Sequence, residues 1–421
     1  MARRTRRAMI AGSSALVLAG IGVLAARPAD KGQAGHDPYF SGLAAALRRA
    51  GLLRPTLVID RERLSANIAA IRASTARAGL PLRVVAKSLP SPRLLEMVLG
   101  GMGSERLMAF SADMLLQLTE LHPEASRLIG KPLPAGEFAR FIDSAGAEAA
   151  GRVQWLIDTP LRLSEYSEAA KTRNLAWQAN FEIDVGLHRG GINDPRDLGN
   201  AVRQAQQAGV KVAGLMGYDP HVPKMLSPDR AFAASQAIYA QMIEVLAGAG
   251  LADRGALTLN GAGSPTFRRH CRKTVANEVS VGSAFVKPGD FDLPELHDLQ
   301  PAAFIATPVL KRSDNLQLPG LESVSGAMHW FDRNSQRGFF IHGGHWLAQP
   351  VSPAGLAYSS LFGRSSNQEL LTGSARVDLK PDDFVFFRPN QSEALFLQFG
   401  DLAIFDGTEI AERWPTLAIS A

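Results

Sequence analysis

The chain has 421 residues, of which 46% are hydrophobic and 20% charged, which excludes a disordered protein and allows one large domain plus a smaller one. The net charge of +5 arises at the amino-terminal end, because residues 1–28 hold five arginines and no acid, and the remainder has 40 basic and 40 acidic residues. A body without net charge argues against a nucleic-acid partner. The single cysteine, Cys271, excludes an intrachain disulfide and a cysteine-rich metal site.

Residues 1–30 have the pattern of a targeting segment rather than of a fold. A basic start is followed by Ala8–Ala26, which carries no charge, with small residues near a possible cleavage point. Arg6 and Arg7 directly precede this apolar run, a twin-arginine pair that favours export by the Tat route. A Sec signal or an uncleaved membrane anchor is the alternative. We therefore expect an exported, periplasmic protein with no stable membrane partner unless the segment stays uncleaved.

Short β-type runs alternate with helical stretches from about Pro55 to Phe285. Such alternation predicts a parallel sheet, and eight or nine strands in about 230 residues favour a (β/α)8 TIM-type barrel over an open sheet. Helical spacing of apolar residues marks segments such as Arg63–Ala78, Ala112–Leu121, Pro195–Ala208 and Ala231–Ala249. The predicted strands are Thr56–Asp60, Leu82–Lys87, Arg106–Phe110, Arg127–Gly130, Arg152–Asp158, Ala176–Asp184, Lys211–Tyr218, Ala256–Gly261 and Glu278–Phe285.

Beyond Pro301 the helical period fades, which predicts a second, mostly β domain. Its predicted strands are Ala302–Leu310, Gly338–His342, Phe384–Arg388, Ala394–Phe399 and Leu402–Phe405. A partner strand is expected from the segment before the barrel, around Phe40–Leu53. The predicted organisation is a signal or anchor over 1–30, a linker and amino-terminal segment over 31–54, the barrel over 55–295 and the β domain over 296–421.

A lysine stands at the end of an early buried strand. Val84–Ala86 is apolar, Lys87 ends the run, and Pro92 suits the first turn of a following helix. The carboxyl ends of barrel strands are where such proteins place their chemistry, although a solvated lysine closing a strand is the alternative. A lysine that forms a Schiff base must be partly neutral, so it needs a site that disfavours the ammonium form.

Two later strand ends carry further polar residues. The stretch FEIDVGLHRGG ends a strand at Asp184 and continues to His188 and Arg189, and an arginine placed there can bind an anionic oxygen with two donors. The next strand ends in GYDPH, with Tyr218 and His221. A structural role is the alternative for both histidines, and it is the commoner one for a lone histidine.

The late loop LNGAGSPTF has the composition of a phosphate-binding loop. Backbone N–H groups and hydroxyls ahead of a helix start are a common means of holding phosphate, and in barrels this site is formed by the late loops. A strand-end lysine, a mid-barrel arginine and this loop together point to pyridoxal phosphate. The loop supplies Gly261, Gly263, Ser264 and Thr266, and the following strand end adds Gly282 and Ser283.

These motifs resemble those of the fold-type III pyridoxal-phosphate enzymes, the alanine-racemase-like barrels, and within them the D-threonine aldolase and D-serine dehydratase branch. The resemblance runs from about residue 37 to the end, on PTLVID, RVVAKSLPSP, IDVGLHRGG, GYDPH and NGAGSPT. It implies a homodimer in which Lys87 forms the internal aldimine, Arg189 contacts the phenolic oxygen of the cofactor and Tyr218 lies near the cofactor. It also implies that Gly261, Gly263, Ser264 and Thr266 surround the phosphate.

The sequence departs from this branch at a stretch that supplies two metal ligands, Pro-Asn-His-x-Cys or Pro-x-His-x-Asp. Here RPNQSEAL places Gln391 and Glu393 at those positions. Glutamine is a poor ligand for a zinc-like ion and glutamate an acceptable one, so a divalent metal is put in doubt and none is assigned. HGGHW, with His342 and His345, is either a substitute metal or substrate site or a packed β-turn.

The sequence therefore predicts a pyridoxal-phosphate-dependent lyase acting on β-hydroxy-D-amino acids, either an aldolase or a dehydratase. Lys87 would act as the acid or base at Cα or Cβ, and the substrate candidates are His188, His221, Gln391 and Glu393. One alternative is an amino-acid racemase, whose second base would be a tyrosine or histidine of the β domain or of a partner subunit. The other is a non-catalytic protein that binds pyridoxal phosphate or a D-amino acid.

Overall fold

The computed structural model describes residues 27–261, 263–317, 320, 322–359 and 362–418. The chain divides into two compact units. The β unit comprises the described parts of Met1–Thr56 and Ile305–Arg388, and the barrel unit comprises those of Leu57–Phe304 and Pro389–Ala421. Most of the predicted targeting segment falls on residues 1–26, outside the described residues. Among the residues that are described, no helix has both the length and the apolar character needed to cross a membrane.

Eight parallel strands close into a barrel, and the last of them pairs with the first, at Leu82 opposite Val279. The predicted (β/α)8 barrel is thereby confirmed. The eight strands follow β1 (Thr56–Asp60) in the chain: β2 (Leu82–Val85), β3 (Arg106–Ala109), β4 (Ser126–Ile129), β5 (Val153–Ile157), β6 (Gln178–Ile183), β7 (Lys211–Gly217), β8 (Thr258–Gly261) and β9 (Glu278–Val281).

The barrel helices begin and end where local chemistry dictates. The side chains of Asp60, Ser111 and Thr159 each accept a hydrogen bond from a backbone N–H of the first helical turn, which satisfies a donor that the helix cannot. Gly79 and Gly103 end two helices in the left-handed conformation. After α1 (Pro38–Arg49), these helices are α2 (Arg61–Ala78), α3 (Pro92–Met102), α4 (Ala112–Leu121), α5 (Ala135–Gly151), α6 (Pro160–Lys171), α7 (Pro195–Gln207), α8 (Pro228–Gly248) and α9 (Phe267–Arg272).

Strand β1 was expected to open the barrel, and that prediction is wrong. β1 instead pairs in parallel with β16 (Leu402–Phe405), with Val58 opposite Ala403. All five residues of β1 are buried, so its apolar run looks the same in either sheet. Strand β17 (Ile410–Trp414) pairs with β16 in antiparallel fashion.

The β unit contains a sheet of antiparallel strands, which confirms the predicted mostly β region. Strand β11 pairs with β14, and β10 pairs with both β11 and β15. The strands are β10 (Ala303–Ser313), which begins at the unit boundary, β11 (Arg337–His342), β12 (Ala348–Ser352), β13 (Ala357–Tyr358), β14 (Gln368–Gly373) and β15 (Phe384–Pro389), with the short helix α10 (Ser325–Phe331) between β10 and β11.

Two predicted strands are helices in the structure. The segment around Phe40–Leu53 contains α1, whose buried residues Phe40, Leu43, Ala44 and Leu47 follow helical spacing. The run Ala394–Phe399 contains α11 (Glu393–Phe396), because a short apolar run does not by itself distinguish a buried strand from a helical turn. Residues 389–421, placed in the β domain by the sequence, group with the barrel unit.

Candidate active site

A cavity of about 120 Å³ opens at the carboxyl ends of the barrel strands, and every residue that lines it belongs to the barrel unit. Its wall is apolar where Met108, Phe110 and Met216 contribute. Its polar side chains are Lys87, Ser88, Arg189, Tyr218, Asn260, Ser264, Ser280, Ser283 and Glu393. A larger depression of about 1520 Å³ lies at the amino ends of β2–β4 and is lined by none of the predicted site residues.

Lys87 follows β2 in a single 3-10 turn that directs its side chain into the cavity. Its Nζ lies 4.6 Å from the centre of the Phe110 ring and 3.9 Å from Oε1 of Glu393. Burial lowers the pKa of Lys87, the positive charges of Arg189 and Lys131 lower it further, and Glu393 opposes this shift. The amine is therefore more often neutral than that of a solvated lysine, and the neutral form is the one that can form a Schiff base.

Arg189 and Tyr218 form a second wall of the cavity. The guanidinium carbon of Arg189 lies 5.1 Å from the centre of the Tyr218 ring, a distance at which a cation is attracted to the aromatic face. Burial raises the pKa of Tyr218 although Arg189 opposes the shift, so this phenol keeps its proton at neutral pH. A Cβ on residue 263 would collide with the Tyr218 ring, which explains the glycine at that position.

Ser264 lies in the predicted phosphate loop, and its hydroxyl oxygen already accepts hydrogen bonds from the backbone. Its Oγ accepts hydrogen bonds from the backbone N–H groups of Gly282, at 3.2 Å, and Ala284, at 3.0 Å. A hydroxyl that accepts twice still has its own hydrogen to donate. Ser264 therefore presents an O–H donor to the cavity, whereas the Ser283 hydroxyl, at the adjacent strand end, donates to other side chains.

Thr266 and Gly261 lie behind this loop and do not line the cavity. The Thr266 hydroxyl donates to Asp219 Oδ1 at 2.5 Å, and Nε2 of His270 lies 3.0 Å from the other oxygen of Asp219. A Cβ on residue 261 would lie 2.9 Å from the His270 ring. These contacts hold the loop in place, and direct phosphate contact by Thr266 or Gly261 stays a prediction.

The two candidate histidines do not line the cavity either. His188 is 84% exposed, and its Nδ1 lies 2.8 Å from Asp184 Oδ2. The same aspartate accepts the backbone N–H groups of Gly186 and His188, which ties the loop to its own strand end. His221 packs beside Gly186, where an added Cβ would lie 3.3 Å from its Nε2. Substrate contact by either histidine stays a prediction.

The structure separates Gln391 from Glu393. Oε1 of Glu393 accepts hydrogen bonds from Ser88 Oγ at 2.9 Å and Ser283 Oγ at 3.2 Å inside the cavity. Gln391 is exposed and donates to Asp290 Oδ2 at 3.0 Å. His342 and His345 belong to the β unit, where both are exposed and the backbone N–H of His345 donates to Glu369. In the described ranges, no group of three or more His, Cys, Asp or Glu side chains is arranged to hold a metal ion.

Sequence reasoning missed the polar floor of the cavity. Asn260 Nδ2 donates to Ser280 Oγ at 2.8 Å and to Glu278 Oε1 at 2.7 Å. Glu278 and Ser280 alternate along β9, so both point to the barrel interior. The alternation of Glu278 and Ser280 was the available sequence signal. It indicates side chains that point to the barrel interior only once the strands are known to form a closed barrel.

Comparison with known proteins gives the chain a family and a fold. Residues 59–288 match the model of the family described as "Alanine racemase, N-terminal domain". A D-threonine aldolase from Arthrobacter sp is 27% identical over 255 residues, which are 57% of this chain and 63% of that relative. The match thus spans less than two thirds of the relative's length.

Solved structures with the same fold include a D-threonine aldolase from Filomicrobium marinum, with a TM-score of 0.68 at 20% identity over 86% of this chain and 95% of that one. D-threo-3-hydroxyaspartate dehydratase from Delftia sp. HT23 gives a TM-score of 0.68 at 15% identity, over 87% and 97% of the two chains. The alanine racemase of Bacillus anthracis gives 0.64 at 13% identity, over 86% and 98%. At these identities the likeness shows the fold alone.

Proposed function

Because the chain belongs to the family of the alanine racemase N-terminal domain, we propose that it is a pyridoxal-phosphate-dependent lyase acting on β-hydroxy-D-amino acids. The observation that carries this proposal is the cavity lysine. Lys87 sits at a strand end beside an aromatic ring, and burial lowers its pKa. The match to a D-threonine aldolase supports the substrate class.

The donor set of the cavity fits pyridoxal phosphate. Lys87 would hold the cofactor covalently through its amine, and the Ser264 hydroxyl would bind the phosphate. The backbone can approach a phosphate closely at Gly263 because that residue has no side chain. Arg189 and Tyr218 would flank the ring with one positive charge and one phenol.

Bound in this cavity, pyridoxal phosphate supplies an electron sink for negative charge at the substrate Cα. The chain itself provides the proton transfers. The Lys87 amine, partly neutral because it is buried, can take a proton from the substrate and return it. The Tyr218 phenol, whose pKa is raised, can donate a hydrogen bond but does not act as a base at neutral pH. Met108, Phe110 and Met216 limit the access of water.

A panel of three substrates tests the proposal. The purified protein, loaded with cofactor, is offered D-threonine, D-serine and D-alanine, and the products are measured. Acetaldehyde or ammonia from the β-hydroxy substrates is the expected result. Conversion of D-alanine to its enantiomer would identify a racemase instead. A cofactor that borohydride traps on the protein, without turnover of any substrate, would indicate a binding protein.

We also propose that the chain is exported in folded form by the Tat route. The support is the sequence pattern of Arg6 and Arg7 before an uncharged apolar run. A protein that folds around a cytoplasmic cofactor needs a route for folded cargo. Replacing both arginines by lysine is expected to retain the protein in the cytoplasm. Normal export of the double variant would remove the Tat route and leave Sec open.

A homodimer is proposed on the family resemblance alone. Light scattering coupled to size-exclusion chromatography of the loaded protein gives the mass in solution directly. A mass equal to that of one chain would contradict the proposal.

A further inference from the structure

One carboxylate faces the cofactor lysine across the cavity. Glu393 begins the short helix α11, and its Oε1 lies 3.9 Å from Lys87 Nζ. The hydroxyls of Ser88 and Ser283 both donate to this same oxygen. Ser283 in turn lies 3.0 Å from Ser88 and 3.4 Å from Ser392, so the serines form a connected cluster around one carboxylate oxygen.

The second oxygen of Glu393 is differently placed. Within the described part of the chain, Oε2 accepts no hydrogen bond, and the side chain is 24% exposed. The buried carboxylate of Glu369, by contrast, has both oxygens occupied by Arg364. A cavity carboxylate with one fixed and one open oxygen is arranged to accept a proton or a hydrogen bond from a ligand.

We propose that Glu393 recognises the β-hydroxyl of the substrate and removes its proton when the Cα–Cβ bond breaks. This inference rests on the function proposed above and selects aldol cleavage over dehydration. Cleavage requires a base at the β-oxygen, whereas dehydration requires an acid that protonates the leaving hydroxyl. The serine donors fill Oε1 and leave Oε2 as an acceptor, which suits the base and not the acid.

The step balances without an oxidant or a reductant. The hydroxyl proton passes to Glu393 Oε2, and the electron pair of the O–H bond becomes the second carbon–oxygen bond of an aldehyde. The Cα–Cβ bond breaks with its electron pair on the Cα side. A proton then returns to Cα from the Lys87 side chain in its ammonium form, and Glu393, whose side chain is 24% exposed, releases the proton that it accepted to solvent. The products are glycine and an aldehyde.

The same carboxylate sets the substrate class. A second carboxylate on the substrate's β-carbon would lie near Glu393, and two like charges at such short range repel in a partly buried site. The cavity is therefore expected to prefer β-hydroxy-D-amino acids with an uncharged side chain, such as D-threonine. D-threo-3-hydroxyaspartate carries the extra carboxylate and is expected to bind at least about tenfold more weakly.

Three loaded proteins in metal-free buffer test the inference: the wild type, Glu393→Gln, and the control Glu409→Gln. Glu409 is an exposed glutamate in the same carboxyl-terminal segment, so the control removes an equal charge away from the cavity. Glu393→Gln is expected to lower kcat for acetaldehyde release from D-threonine by at least about 100-fold. The control should stay within about twofold of the wild type.

Equilibrium binding provides a readout that does not depend on turnover. The absorbance change of the bound cofactor reports binding of D-threonine and of D-threo-3-hydroxyaspartate. The preference of the wild type for D-threonine should shrink to under about threefold in Glu393→Gln, because the repelling charge is gone. Glu393→Asp, which keeps the charge, should keep the preference while its kcat falls. This second variant also serves if the glutamine variant does not fold.

The outcomes separate this inference from the proposed function. If the wild type releases mainly ammonia from D-threonine, the lyase stands and the role of Glu393 as base is overturned. Retention of more than half of the wild-type kcat by Glu393→Gln, or an unchanged preference between the two substrates, also overturns it. If the wild type traps no cofactor with borohydride, the proposed function fails before any variant is made, and the inference fails with it.

Discussion

The cavity and the barrel interior beneath it use carboxylates in opposite ways. Below the cavity, Glu278 is 1% exposed and both of its oxygens are occupied, by Arg83 at 2.6 and 3.0 Å and by Arg106 at 2.7 Å. Asn260 adds a further donor. At the cavity, Glu393 is partly exposed, and among the residues that the structure describes only one of its oxygens has protein partners. A fully satisfied group contributes to the fold, whereas a partly satisfied one remains available for a ligand.

The difference also appears in the charges. Burial would raise the pKa of Glu278, but Arg83, Arg106 and Asn260 together hold it below its ordinary value. For Lys87, Glu393 is the one described residue that opposes the effect of burial, and the pKa of Lys87 is lowered. In this molecule, the interior stabilises the charged form of its acid, and the cavity destabilises the charged form of its base.

The largest effect is expected from removing the cavity lysine. Lys87→Ala should lower kcat at least about 1,000-fold and abolish the borohydride-trapped cofactor, because both the attachment point and the proton carrier are lost. Peptide mapping of the reduced protein provides the measurement. Lys171→Ala, at an exposed helix end, is the control and should keep both properties. A cofactor trapped at the wild-type level in Lys87→Ala would show that another lysine holds it.

The interior acid is expected to affect stability. Glu278→Gln should lower the free energy of unfolding by about 3–5 kcal/mol, because Arg83 would remain fully buried with its charge uncompensated. Chemical denaturation followed by circular dichroism measures this. Glu409→Gln should change the free energy by at most about 0.5 kcal/mol. Equal stability of the two variants would mean that the buried network contributes nothing to the fold.

Ser264 has a structural and a cavity-facing role, since its oxygen accepts the backbone N–H groups of Gly282 and Ala284 and its hydroxyl lines the cavity. Ser264→Ala should weaken cofactor binding by about 10- to 100-fold, the effect of losing one hydrogen bond to a charged group. Equilibrium dialysis of the cofactor gives the dissociation constant. Thr266→Ser, which keeps the hydroxyl that donates to Asp219, is the companion variant and should bind nearly as well as the wild type. Unchanged affinity in Ser264→Ala would remove this serine from the phosphate site.

Acid tests how much the buried carboxylate of Glu278 contributes to stability. A carboxyl group whose folded pKa is depressed adds stability above its unfolded pKa, here 4.5, and that stability is lost as pH falls through the folded value. The wild type should therefore lose stability below pH 4.5 more steeply than Glu278→Gln, which has no carboxyl to protonate. Thermal unfolding across this pH range is the measurement. If the stabilities of the wild type and Glu278→Gln fell with pH at the same rate, the pKa of Glu278 would not be lowered in the folded protein.

The smallest effect is expected from metal removal. Of the two residues at the positions where the D-threonine aldolase and D-serine dehydratase branch is expected to carry metal ligands, only Glu393 lines the cavity, while Gln391 is bound to Asp290. A single carboxylate is a weak site for a divalent ion, so EDTA should leave wild-type turnover of D-threonine within about twofold. Loss of activity in EDTA, restored by Mn²⁺ or Zn²⁺, would show that a metal acts here.

Local pattern in the sequence determined the barrel and its lysine. The alternation of strands and helices requires a parallel sheet, and the positions of eight strands followed from apolar runs bounded by polar turns. Lys87 was identified because it ends a buried strand at the edge where barrels place their chemistry, and because an arginine and a glycine-rich loop follow at later strand ends. The loop containing Ser264 was found because glycine and hydroxyl residues cluster there, which needs no knowledge of distant contacts.

Only the tertiary structure decided which of the candidate site residues lie close together. Nothing in RPNQSEAL indicates that Glu393 turns toward Lys87 while Gln391 turns toward Asp290, since side-chain direction there depends on where α11 packs. β1 gave the same apolar signal for either sheet, and the strand predicted over Ala394–Phe399 formed a helical turn instead. Apolar runs report burial, but they do not report the neighbour against which burial occurs, and that neighbour is supplied by residues distant in sequence.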